Sequence, residues 1–307
     1  MNFDFGNILT RAWQITWKHK VLWALSALPM LVSFFAFLFF VSPVFFLPDA
    51  SGQREMFPSA ETILPILFFV FLAFLFVVNF LLSGISMSAI TLGVFRAERS
   101  GGEVTLGGLL SDSRQYIGRM LTVFLIINLT VGLAFTVFLL LMFALTAVTM
   151  GMASICLQPV FIIITPLSFL VMGVLESAQA AVVVEDMSAL DAMKRGMNIV
   201  RENVWKYVII TLIVYFGSSI IMSILMMPLM APFLAFSFFS SFEHFNARMM
   251  MTVILGFMCL FFPLMTAFQS LMMTFMKSSL FLTYLHLAKP GENTPVFASL
   301  NDPVEIK

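Results

Sequence analysis

The sequence predicts an all-α membrane protein, a polytopic bundle of six transmembrane helices with amphipathic helices along its cytoplasmic interface. Three observations lead there. Of 307 residues, 61% are hydrophobic and 10% charged, with a mean hydropathy of +1.03, whereas a water-soluble core needs a charged surface to cover it. Uncharged apolar runs exceed the roughly 20 residues that cross a bilayer. The basic residues are divided very unevenly between alternate connections.

The runs lie near residues 21–47, 63–95, 121–148, 154–184, 208–236 and 252–286, interrupted only by Glu176 and Lys277. Several are longer than the bilayer is thick and must tilt, bend or project into the interface. Prolines at 29, 43, 65, 159, 166, 228, 232 and 263 predict kinks, because each removes a backbone donor and crowds the preceding turn. The first run is too long for a secretory h-region and lacks a small-residue cleavage site, so it reads as a retained span.

Fourteen of the 16 Lys and Arg residues fall on one side of these spans; the opposite connections hold only Arg54 and Arg248. Short loops obey the positive-inside rule, which places both chain ends in the cytoplasm. Trp13, Trp17, Trp23, Trp205, Tyr116, Tyr207 and Tyr284 fall near the same boundary and are expected there as interfacial anchors. Residues 1–289 then form one six-span domain, and the polar segment 290–307 a mobile cytoplasmic tail.

A unit of one surface helix and two spans is repeated, at residues 4–95, 105–184 and 188–286. Asp4 to Thr10 resembles Thr105 to Ser111, with Gln14 matching Gln115, and Arg11 to Ile15 corresponds to Arg195 to Ile199. Asn7, Arg11, Gln14 and Lys18 share one helical face opposite Phe5, Ile8, Leu9, Ala12 and Ile15. In the third copy Asp191, Lys194, Arg195, Asn198 and Glu202 oppose Ala192, Met193, Gly196 and Val200, with Asp4 and Ser188 as N-caps. Each unit crosses twice, so successive copies run parallel and permit a pseudo-threefold axis along the membrane normal.

Glu176 and Lys277 are the charged residues within the apolar runs, where an ion at mid-bilayer costs about 2.5–3.5 kcal/mol. Glu176-Ser177-Ala178 aligns with Lys277-Ser278-Ser279 and with Met87-Ser88-Ala89, at equal depth. Two readings follow: an ion pair joining the second and third units, or Lys277 snorkelling to the headgroups with Glu176 protonated or at an interfacial water. Small residues at 83–89 and 177–181 permit close helix approach, and Asn79, Asn128, Gln158, Gln179 and Gln269 read first as interhelical hydrogen-bonding groups.

No cofactor is indicated. The 24 methionines cluster at 226–230, 249–251 and 272–276; thioethers can bind Cu(I), but no cysteine or histidine stands at ligand spacing there, and flexible apolar filling accounts for them. Cys156 and Cys259 have no CxxC spacing, and His19, His244 and His286 are scattered at membrane edges. There is no Walker loop, GxSxG or HExxH, so no metal site, catalytic residue or enzymatic activity is expected. The zero net charge gives no basic field for nucleic acid.

Val184-Glu185-Asp186, Ala192 to Gly196, Val200 to Asn203 and Trp205-Lys206, together with Arg11-Ala12-Trp13 and Trp17 to Lys20, are similar to motifs of certain bacterial membrane proteins. The chain resembles the glycerophosphoryl diester phosphodiesterase membrane-domain family. The resemblance covers most of the chain in hydropathy and two short stretches in residues. It implies a six-span domain of the bacterial cytoplasmic membrane, in some members joined to a soluble phosphodiesterase domain. That catalytic domain has no counterpart in these residues, so its activity is not carried over. The expected role is a non-enzymatic scaffold or accessory protein organising the lipid bilayer or a membrane-protein partner; the alternative is a small-solute transporter or channel with a polar site near Glu176 and Lys277.

Overall fold

The computed structural model describes residues 4–46, 60–100, 105–149, 151–152, 158–239 and 247–288, and every regular element in them is an α-helix. They are α1 (Phe5–Lys18), α2 (Val21–Phe46), α3 (Ala60–Ser100), α4 (Leu106–Val148), α5 (Gln158–Val184), α6 (Ala189–Glu202), α7 (Val204–Phe239) and α8 (Ala247–Ala288). Arg54, Cys156, His244 and the segment 290–307 lie outside the described residues.

Hydrocarbon cannot satisfy backbone polar groups, so apolar runs of this length fold as helices that satisfy their own. Phe68–Arg99, Leu106–Val148, Gln158–Val184, Val204–Pro228 and Cys259–Ala288 are each long and apolar enough to cross a membrane, and α2 makes six when it is counted with α1 across a 77° bend. The 43-residue α4 is about 64 Å long, twice the hydrocarbon thickness of about 30 Å.

The spans are arranged as three inner and three outer helices. α3, α5 and α8 touch one another at the centre; α2 packs between α3 and α8, α4 between α3 and α5, and α7 between α5 and α8. Each inner helix is the second span of its unit. Equivalent positions show the cycle at atomic scale. A Cβ on Gly84 would collide with the Leu121 side chain of α4, and one on Gly173 would meet Tyr207 of α7 at 3.0 Å. The third equivalent, Thr274, reaches the carbonyl of Leu22 in α2 at 3.4 Å. In every case an inner helix meets the first span of the next unit, and the third unit closes on the first.

The surface segments follow the same rule. Asp4 accepts from the amide of Asn7 to cap α1, and Ser188 accepts from that of Asp191 to cap α6. α1 lays Ile8, Ala12 and Ile15 onto the bundle, chiefly against α8, while α6 packs on α5 and the start of α4 lies on α3. Arg96 of α3 pairs with Asp112 of α4, and Glu185, just after α5, pairs with Arg195 of α6. These are equivalent positions with the charges exchanged. The third such pair would be His286 with Arg11, which do not carry opposite charges, and Arg11 turns instead to Glu98 at 2.9 Å.

One expectation is corrected. The second unit has no separate surface helix, because α4 runs unbroken from Leu106 into the membrane. The first unit breaks at His19 and the third at Asn203, whose side-chain amide donates to the Ile199 carbonyl and whose oxygen accepts from Lys206. The equivalent residue in α4 is Met120, fully buried and a better helix former than asparagine or histidine.

Packing is uneven along the bundle axis. Buried side chains gather in the half that carries the charged segments, whereas Phe69, Phe74, Phe76, Leu133, Phe143, Met227 and Leu260 in the other half are exposed. Lipid tails solvate such residues as well as neighbouring helices do, so nothing drives that half to close.

Candidate functional site at the centre of the bundle

Glu176 on α5 and Lys277 on α8 converge near the centre, 7% and 5% exposed. The Lys277 ammonium donates to Glu176 Oε1 at 2.8 Å and Oε2 at 3.1 Å, and to Gln179 Oε1 at 3.1 Å. An ammonium has three protons, and all three directions find an acceptor. Gln179 passes the connection on, its Nε2 lying 3.7 Å from the Met87 sulfur of α3. Met87 is the third member of the aligned set, so one polar chain ties the inner helices of all three units together.

The adjoining serines are equivalent and fully buried. Ser177 donates to the Tyr207 hydroxyl at 2.7 Å, Ser88 to the Ile85 carbonyl at 3.0 Å, and Ser278 has no partner among the described residues. Small side chains here let the inner helices approach closely enough for the ion pair to form.

Nearer the charged end, Glu185 is a second junction. It accepts from the Tyr284 hydroxyl and from Arg195 Nε at 3.4 Å, while Arg195 Nη2 donates to the Ala288 carbonyl at 3.1 Å. Arg119 of α4 pairs with the Asp186 carboxylate at 2.8 Å and donates to the carbonyls of Asp186 and Met187, both at 3.1 Å. It thereby holds the α5–α6 turn, where Asp186 has φ of 50°, in the left-handed region that costs a non-glycine residue energy.

The aromatic anchors divide. Trp13, Trp17 and Trp205 are exposed at the charged end, Trp23 is half-buried and donates to the Thr16 carbonyl at 2.7 Å, and Tyr116 lies under the Arg119 guanidinium at 5.4 Å. Tyr207 and Tyr284 are corrected: both are fully buried, because Gly173, Ser177 and Glu185 offer them space and hydrogen bonds inside the bundle. Among the other polar groups, Asn79 donates to Ser33 across α3 and α2, whereas Asn128 bonds within its own helix, to Phe124.

Cavities among the described residues lie away from the pair. A crevice of about 680 Å³ lies between α2, α3 and α4, lined by Phe76, Asn79, Phe80, Phe124 and Asn128. A cleft of about 600 Å³ lies beside α1, and another of about 500 Å³ surrounds Arg96 and Asp112. Neither Glu176 nor Lys277 lines any of these. Among the described residues no three His, Cys, Asp or Glu side chains stand close enough to hold a metal ion. The arrangement offers a satisfied ion pair that joins helices.

Sequence reasoning did not find Gln179 as the third acceptor for Lys277, although its i+3 spacing from Glu176 puts both on one face of α5. Comparison with protein-family models, curated proteins and solved structures finds no match.

Proposed function

We propose that the chain is a non-enzymatic scaffold or accessory protein of the bacterial cytoplasmic membrane, with both ends at the cytoplasmic face, organising lipid or a membrane partner around a fixed core. The observation that supports this reading is the internal satisfaction of the central charges: Lys277 spends its protons on Glu176 and Gln179. A transport site needs groups that exchange water or solute for protein partners, and here protein has taken those places. The concentration of basic residues in the segments on one side supports the orientation, and the resemblance of the short motifs around Arg11 and Arg195 to the phosphodiesterase-linked membrane domains supports the setting.

The alternative is a small-solute transporter or channel that uses the same pair. Purified protein in sealed vesicles separates the two. The scaffold reading expects no protein-dependent flux of ions or small solutes, together with stable co-purification of lipid or a membrane partner. Flux that falls on Glu176→Gln or Lys277→Met substitution favours transport.

A further inference from the structure

The cleft beside α1 is a mostly apolar concavity edged by polar and basic groups, at the level where the chain enters the membrane. α1 makes a 77° angle with α2 and therefore runs across the ends of the spans rather than along them. Its cleft of about 600 Å³ is lined by Arg11, Gln14, Lys18 and His19 on one side and by Trp13, Trp17, Ile15 and Ala97 around it. Trp13 and Trp17 are 43% and 55% exposed, stacked at 5.6 Å, and fixed from behind by Phe275 and Trp23.

The electrostatics are one-sided. Glu98 is committed to Arg11 through one nitrogen, Nε, which leaves the other guanidinium N–H groups for a ligand. The Lys18 ammonium has no hydrogen-bond or ion-pair partner among the described residues, nor has the ammonium of Lys20, one residue beyond the cleft. Burial and the Lys18 ammonium hold the His19 imidazole below its ordinary range, so at neutral pH it adds an uncharged polar wall. Two cations, an amide and a pair of amphipathic rings at the membrane edge match a phosphate joined to hydrocarbon.

We propose that this cleft binds the phosphate of an anionic phospholipid, with Lys18, Arg11 and Gln14 on the headgroup and Trp13 and Trp17 against the glycerol and upper acyl chain. The chemistry recognised is a phosphate anion; the exposed indoles commit the site to a lipid rather than to free phosphate. The assignment deepens the scaffold reading and rests on its placement of α1 at the membrane surface.

The test uses the full chain carrying Trp205→Phe, reconstituted in phosphatidylcholine nanodiscs that contain a fixed fraction of brominated phosphatidylglycerol or brominated phosphatidylcholine. Tryptophan quenching reports which lipid occupies the cleft. The anionic lipid should quench more strongly; Lys18→Gln should weaken that preference roughly fivefold, Lys18→Arg should keep it, and Lys194→Gln on α6 should leave it unchanged. Inorganic phosphate should not displace the lipid. Equal quenching by the two lipids, or a preference indifferent to Lys18→Gln, overturns the site, and displacement by inorganic phosphate overturns its assignment to lipid. The vesicle flux measurement reads the scaffold proposal separately, since loss of headgroup preference opens no solute path.

Discussion

Lys277 and Glu176 occupy equivalent positions in two repeated units, and their charged groups meet at 2.8 Å although 101 residues separate them in sequence. Around one axis the three equivalent positions carry a cation, an anion and the neutral Met87. The set is electrically balanced only with that third residue uncharged, and Met87 already has a role in contacting Gln179. Identical units cannot build such a pair, so divergence between the copies is what allows them to recognise one another in a fixed order.

Met87→Glu should therefore be poorly tolerated, while Met87→Leu should be close to neutral. The added carboxylate finds the one nearby cation already paired with Glu176, and an ionised group costs about 2.5–3.5 kcal/mol in the apolar span. The yield of folded, monodisperse protein in mild detergent measures the difference.

Gly196 sets how closely α6 lies on α5. A Cβ there would stand 2.8 Å from the Ala178 amide nitrogen and 3.0 Å from the Val174 carbonyl, backbone atoms that cannot swing aside. Gly196→Ala should lower stability by about 1–3 kcal/mol. Gly217→Ala, where nothing lies within 4 Å, should be neutral or stabilising by up to about 1 kcal/mol. Thermal unfolding of the two variants side by side checks both signs.

Arg119→Ala should loosen the α5–α6 turn. The ion pair with Asp186 is largely solvent-facing, so its Coulombic part is worth only about 0–1 kcal/mol. The two carbonyl contacts hold the left-handed backbone in place, and their loss should appear as faster hydrogen exchange and proteolysis at 185–188 while the spans remain protected.

Acidification should weaken the junction between α1 and α2. His19 binds a proton less readily in the folded chain than its ordinary value of 6.5, so below that value the unfolded state takes up protons that the folded state does not. The stability is complete above the ordinary value and declines as pH falls through it. Thermal unfolding between neutral and mildly acidic pH should show the decline, and His19→Gln should flatten it.

Much of this architecture was legible beforehand. Hydropathy and basic flanks locate spans because hydrocarbon permits few backbone solutions, and Glu176 and Lys277 stood out because a charge in lipid has few refuges. The amphipathic faces of α1 and α6 were equally clear, since a helical period leaves a pattern in the sequence. What was hidden depends on long-range closure. Nothing local says that α1 packs on α8, that Tyr207 and Tyr284 turn inward, or that Arg195 reaches the end of α8. The continuity of α4 was readable only at Met120, where the other units have His19 and Asn203, and it takes their bent geometry to show what that residue replaces.

The most direct measurement is a double-mutant cycle on the central pair, with Glu176→Gln, Lys277→Met and the combined variant compared by thermal unfolding in one detergent. Each single change leaves the other charge buried without its partner and should cost about 3–5 kcal/mol, and the combined change should cost less than the two together. Losses that simply add would contradict the pair as the fastening between the second and third units.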